Sequence, residues 1–254
     1  MTPDRFEILY CGDTAIDNAA CYLAGLLTRA GRSFRYVPSD QPISRDLLET
    51  AWDVVIFSDY PAARLSADDH QHIVDRVRDG AGLLMLGGWE SFHGLGGDWQ
   101  DTPVARLLPV EIAAADDRFN CDRPLVARQC GDHPITRDLP WETRPPLIGG
   151  LNRVMARPFA KILLAAEQWD LRREAEDLVM SRASSHVLLA VGESGAGRTA
   201  AFASDVAPHW IGPMVDWGLP RVECGAEGAP AIEVGAHYAE FFTRLVAWTA
   251  GWIQ

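Results

Sequence analysis

The sequence has no surplus of positive charge, no long apolar run and no paired-cysteine spacing. Lys and Arg total 23 against 35 Asp and Glu, for a net charge of −12. Phosphate binding needs clustered cations, so this balance argues against a nucleic-acid partner and against docking on an anionic membrane. No stretch approaches the ~18–20 apolar residues of a membrane span. The N-terminus, MTPDRFEILYCGDT, carries charges at Asp4, Arg5 and Glu7 and lacks the apolar core of a secretion leader. The five cysteines (Cys11, Cys21, Cys121, Cys130 and Cys224) are odd in number, and no pair has C-x-x-C spacing. They read as reduced thiols in a cytoplasmic protein, with neither a disulfide frame nor a zinc site expected. No motif calls for a metal or a cofactor.

What is present fits one α/β domain. The chain has 254 residues, 48% of them hydrophobic, which is ample for a core. Strands are expected over Phe6–Cys11, Ser33–Val37, Asp53–Ser58 and Ala81–Leu86. Between them lie helix patterns over Asp17–Ala30, a short one capped by Ser44, and one from Ser66 to Gly80. Alternation at this spacing predicts βαβ units, a mostly parallel sheet and a doubly wound, flavodoxin-like topology. Residues 94–157 are rich in Pro, Gly and Asp and read as an irregular insertion over the pocket. Further strands are expected over Ala160–Ala166, His186–Val191 and Thr199–Ser204, with a long amphipathic helix over Ile232–Trp252.

Three segments carry candidate chemistry. Gly192–Thr199 approaches the phosphate-loop pattern, with Arg198 in place of Lys. That motif must open a helix, and TAAFASDV reads as a strand, so a hairpin turn at Gly195–Gly197 is the better reading. GLLMLGGWESFHGLGG runs from a buried strand into Gly88, Trp89, Glu90, Ser91 and His93 at the sheet's carboxyl edge, where α/β sheets bind ligands. The bland alternative is a turn whose aromatics pack on the insertion. Ser204–Trp210 follows another strand and gathers Asp205, His209 and Trp210. Asp205 and His209 suit an acid/base pair and Trp210 a stacking wall; alternatively Asp205 caps its turn and His209 bonds a carbonyl. Asp116-Asp117-Arg118 reads as a solvated turn with a local ion pair.

These blocks together resemble a bacterial family of glutamine amidotransferase-like cytoplasmic proteins. The matching pieces are Gly12-Asp13-Thr14, Ser58-Asp59-Tyr60, GGWESFHGLGG with Thr102-Pro103, and LPVEIAAADDR. Asp132-His133-Pro134-Ile135, Leu139-Pro140-Trp141, Gly197-Arg198, Ser204-Asp205 and Pro208-His209-Trp210 complete the set. The resemblance spans nearly the whole chain and implies a class I glutamine amidotransferase-like fold, shared with trehalose-utilisation-type proteins. Active members of that class keep a Cys in a G-x-C-x-G elbow and a later His-x-Glu. Here the elbow is Gly87-Gly88-Trp89-Glu90-Ser91, without Cys, and the late strand offers Asp205 and His209 without His-x-Glu.

Glutamine hydrolysis through a Cys-His-Glu triad is therefore not expected. The reading is a protein that binds a small polar or carbohydrate-like metabolite at the sheet's carboxyl edge. Glu90, Ser91, Asp205 and His209 are the catalytic candidates. Asp13, Asp59, Gly88, Trp89, His93 and Trp210 are the ligand-binding candidates. The alternative is a non-catalytic, oligomeric scaffold that retains the fold only.

Overall fold

The computed structural model describes residues 6–254. Residues 1–5, part of the stretch read above for a leader, lie outside the described residues. The parallel strands are β1 (Ile8–Gly12), β2 (Phe34–Val37), β3 (Val54–Ser58) and β4 (Gly82–Leu86). The intervening helices are α1 (Cys21–Arg29), α2 (Arg45–Glu49) and α3 (Ala67–Arg78). Ser44 caps α2 by accepting the Leu47 amide, and Ser66 with Asp69 forms a reciprocal capping box on α3. Then come β5 (Val110–Glu111), β6 (Arg118–Gln129), β7 (Leu147–Asn152), β8 (Met155–Ala156), β9 (Lys161–Glu174), β10 (Asp177–Ser194) and β11 (Gly197–Phe202). The chain ends through α4 (Pro208–Val215), the ribbon β12 (Arg221–Cys224) and β13 (Ile232–Gly235), and α5 (Ala236–Thr249).

One mixed sheet dominates, in the order β2-β1-β3-β4-β11-β10-β9-β6-β7. Strands β2 to β11 in that order are parallel, and every pairing from β11 onward is antiparallel. The period-2 alternation of a strand sends successive side chains to opposite faces. Ile8, Tyr10, Ile56, Leu86 and Phe202 therefore pack on one face with α1 and α5. Leu9, Cys11, Phe57 and Met85 pack on the other with Leu48 of α2 and Ile73, Val74 and Val77 of α3.

Two expectations are corrected. The segment 94–157 is not an irregular insertion: β6 and β7 belong to the main sheet. Pro124 and the Gly149-Gly150 pair hid them, because such residues weaken strand patterns; the β6–β7 register indeed skips between Asn120 and Leu125. The terminal helix begins at Ala236, since Ile232–Gly235 pair with β12 as a strand. The hairpin at Gly195–Gly197 is present: β10 and β11 pair antiparallel with Ser194 opposite Gly197. Gly195 takes a positive φ of 62°, and a Cβ there would meet the Arg78 carbonyl oxygen at 2.4 Å.

Candidate functional site

Asp13 follows β1 and Asp59 follows β3, at equivalent places on adjacent parallel strands. Both adopt the left-handed region, with φ of 44° and 49°, a conformation Asp tolerates better than most residues. Hydrogen bonds fix each one. The Asp13 carbonyl accepts from the Ser39 amide at 2.8 Å and the Tyr36 hydroxyl at 2.8 Å, and its amide donates to the Ser58 carbonyl. The Asp59 amide donates to Ser91 Oγ at 2.9 Å. Held backbone strain of this kind collects at functional sites.

The elbow after β4 is built around Asp59. Glu90 donates its amide to Asp59 Oδ1 at 2.8 Å. A Cβ at Gly88 would stand 2.1 Å from that same oxygen, so only glycine admits the carboxylate. The buried Asn152, at the end of β7, clamps the turn: its Oδ1 accepts the Gly88 amide and its Nδ2 donates to the Gly88 carbonyl. Asp117 locks the next loop by accepting the His93 and Gly94 amides and Asn152 Nδ2.

Beyond β11, Asp205 is buried while the His209 side chain stays open. His209 Nδ1 lies 3.2 Å from Asp205 Oδ2, and the Ala207 amide donates to Asp205 Oδ1. That bond to Asp205, opposed by partial burial, raises the imidazole pKa.

A cavity of about 310 Å³ opens between these strand ends, lined by Asp13, Asp59, Trp89, Glu90, His209 and the small polar side chains of Thr14, Asn18 and Ser39. Burial, with Asp59 and Asp205 close by, pushes the Asp13 carboxyl up to about 8. Burial and Asp205 push Asp59 up to about 7. Burial also raises Glu90. The site thus holds acids able to exchange protons near neutral pH, beside an imidazole oriented by a carboxylate. Trp89 is 53% exposed at the rim, with the Arg118 guanidinium 4.5 Å from its ring centre.

Seven expected site residues therefore meet in one place: Asp13, Asp59, Gly88, Trp89, Glu90, Asp205 and His209. Three do not. Ser91 is only 1% exposed, does not line the cavity, and braces the turn by accepting the Asp59 amide at its Oγ. His93 turns to Gln100, with Nδ1 at 2.9 Å from Oε1. Trp210 is buried against Gly150, where a Cβ would fall 2.5 Å from its ring, and donates Nε1–H to Asn120. Sequence reasoning missed Asn152 and Asp117. Asp117 read only as part of a solvated turn and Asn152 carried no signal, because only the tertiary pairing brings β7 to the elbow. No cysteine lines the cavity, and Cys11, nearest in sequence, is fully buried with its thiol pKa pushed up by desolvation.

No described helix is long and apolar enough to cross a membrane. No curated protein matches the chain by sequence. Among solved structures, two Salmonella typhimurium proteins named as cytoplasmic superpose over nearly their whole length. STM3548 is 21% identical with a TM-score of 0.71, covering 96% of this chain and 98% of its own. STM1381, from strain LT2, is 22% identical with a TM-score of 0.72, covering 96% and 99%. A ThuA-like protein of Parabacteroides merdae is 14% identical with a TM-score of 0.60, covering 97% and 90%. At these identities the likeness concerns the fold. A family model matches residues 50–220, a span that holds the elbow, the Asp117–Asn152 clamp and the Asp205–His209 pair, and the chain belongs to that family, GATase1_like, described as "Putative glutamine amidotransferase".

Proposed function

We propose that this protein binds a small polar or carbohydrate-like metabolite in the carboxyl-edge cavity and acts on it, in the cytoplasm, by acid/base chemistry without a cysteine nucleophile. The observation that carries the reading is the convergence of Asp13, Asp59, Glu90 and the Asp205–His209 pair on one cavity. His209 serves as the general base or acid, Asp205 orients it, Glu90 is the second proton carrier, and Trp89 walls the ligand. The elbow presents Trp89 and Glu90 where a nucleophile would stand, so glutamine hydrolysis through a thiolate has no starting group. A metabolite screen for turnover, repeated with Glu90→Gln and His209→Ala, tests the assignment. Both variants should lose at least about a hundredfold in rate, and unchanged rates in both would remove it.

A second reading, a scaffold that assembles through copies of itself, draws support from a separate feature. Beyond Glu167 and Arg182 the β9–β10 ribbon exposes Leu171, Leu178 and Met180. Sedimentation of the protein at micromolar concentration tests it, and a monomer would count against it.

A further inference from the structure

A second cavity, of about 500 Å³, opens beside the amino-terminal ends of β4 and β11. Phe159, Val191 and Trp248 give it apolar walls, and His133, Lys161 and Glu193 are its polar members. A mostly apolar hollow of this size with a few placed polar groups has the form of a small-molecule site. The carboxyl-edge site uses none of these residues.

The walls are held from behind. Arg198 lies 4.9 Å from the Trp248 ring centre and donates to the Trp248 and Ile253 carbonyls, which ties the end of α5 to β11. His133 stands edge-on to Trp248, with ring centres 5.0 Å apart. Its own turn is fixed by the Asp132–Arg137 pair and by the Thr136 and Arg137 amides, which donate to the His133 carbonyl. A Cβ at Gly192 would stand 3.1 Å from the Phe159 ring, so glycine makes room for Phe159.

Two of the three polar members are donors. The Ile135 amide donates to His133 Nδ1 at 3.3 Å, so in the neutral ring Nε2 carries the hydrogen. Burial, with Lys161 and Arg198 nearby, holds the imidazole down at about 4, and the ring is therefore neutral near pH 7. The residue is 8% exposed and lines the cavity. Nε2 is neither fully enclosed nor bonded to any described residue, which leaves its N–H open to the cavity. Lys161 gives one hydrogen to the Asp132 carbonyl at 3.0 Å and keeps two more. One ammonium and one neutral N–H suit a single negative charge spread over two acceptor oxygens. Glu193 on the same lining opposes a dianion such as a phosphate monoester.

We infer that this cavity is a second binding site, for a small monocarboxylate carried on a flat apolar body. The carboxylate accepts hydrogen bonds from Lys161 Nζ and His133 Nε2–H, and the body lies against Trp248 and Phe159, whose rings favour a flat partner. The inference stands apart from the carboxyl-edge reading and neither needs nor supports it.

Isothermal titration at pH 7 with 2-naphthoate and 2-naphthamide tests it, because the two probes share a ring system and differ in the charge of one substituent. 2-Naphthoate should bind at least about tenfold more tightly. Lys161→Met should bring it down to the affinity of the amide, and Phe159→Ala should weaken both probes by at least about threefold. Both positions are exposed, and unfolding midpoints close to the parent's check that the variants fold. Equal affinity for the two probes overturns the carboxylate assignment. A preference that survives Lys161→Met, or naphthoate binding lost in His209→Ala, places the ligand elsewhere and overturns the site. Binding of neither probe overturns it as well.

Discussion

The two halves of the central sheet do different work. In the parallel half, β1, β3, β4 and β11 all end at the same edge, so the residues that follow them meet without any special device. Asp13, Asp59, the Gly87–Ser91 elbow and Asp205 are these direct continuations. In the antiparallel half, neighbouring strand ends alternate between edges, and the contribution to the site is structural: Asn152 at the end of β7 and Asp117 just before β6 hold the elbow in place. The same half runs past the body as the β9–β10 ribbon, whose outer residues pair with each other over Trp169–Glu174 and Asp177–Arg182. A two-stranded ribbon has little stability of its own. Parallel strands thus gather the candidate site residues, while antiparallel strands brace them and offer surface.

This contrast can be broken most forcefully at the seam. Phe202 on β11 packs against Phe241 and Phe242 of α5, and Phe202→Ala should cost about 3–5 kcal/mol in denaturant unfolding. Asp117→Ala leaves the His93 and Gly94 amides and Asn152 Nδ2 without their acceptor. It should cost about 2–4 kcal/mol and disorder the elbow, read as weakened ligand binding; a variant with wild-type stability would mean the brace is dispensable.

Asp59→Asn should act with the opposite sign. A carboxyl whose folded pKa is raised to about 7 binds more protons folded than unfolded. Its stabilising effect is full below the unfolded value of about 4 and fades as pH rises toward the folded value. The neutral amide escapes that loss and still accepts the Glu90 amide. The variant should therefore be more stable than the parent by about 1–2 kcal/mol near pH 8, with the gain shrinking as pH falls from about 7 to about 4 and ligand binding lost. A variant less stable than the parent at every pH would contradict this. The smallest effect belongs to the ribbon. Leu171→Ala, at an exposed position paired with Met180, should change stability by less than about 0.5 kcal/mol. A larger loss that depends on protein concentration would show the ribbon to be an interface.

The parallel half was legible because its signals are local. FEILYC, DVVIFS and GLLML are buried runs that end in turn residues, and each turn carries its own candidate site residue. The antiparallel half was not, for physical reasons that can be named. In β6 the exposed positions and Pro124 dilute the apolar alternation, and β7 carries Gly150 because Trp210 needs the space above it. The Asp116-Asp117-Arg118 turn was half readable. Asp116 and Arg118 do form the expected local pair, whereas Asp117 between them turns inward and is 2% exposed. No pattern within three residues distinguishes those fates, because the partners of Asp117 lie 23 to 35 residues away. Ser91 and Trp210 misled for the same reason: residue type suggested chemistry, and long-range neighbours claimed both for support.

The central claim is that the carboxyl edge of the parallel half is the working site. A thermal-unfolding screen against sugars, sugar acids, amino sugars and amino acids tests it most directly when run in parallel on the parent and on His209→Ala and Asp13→Asn. The account predicts that a compound raising the parent's midpoint leaves both variants unmoved. A compound that stabilises all three proteins equally would place binding elsewhere and contradict the account.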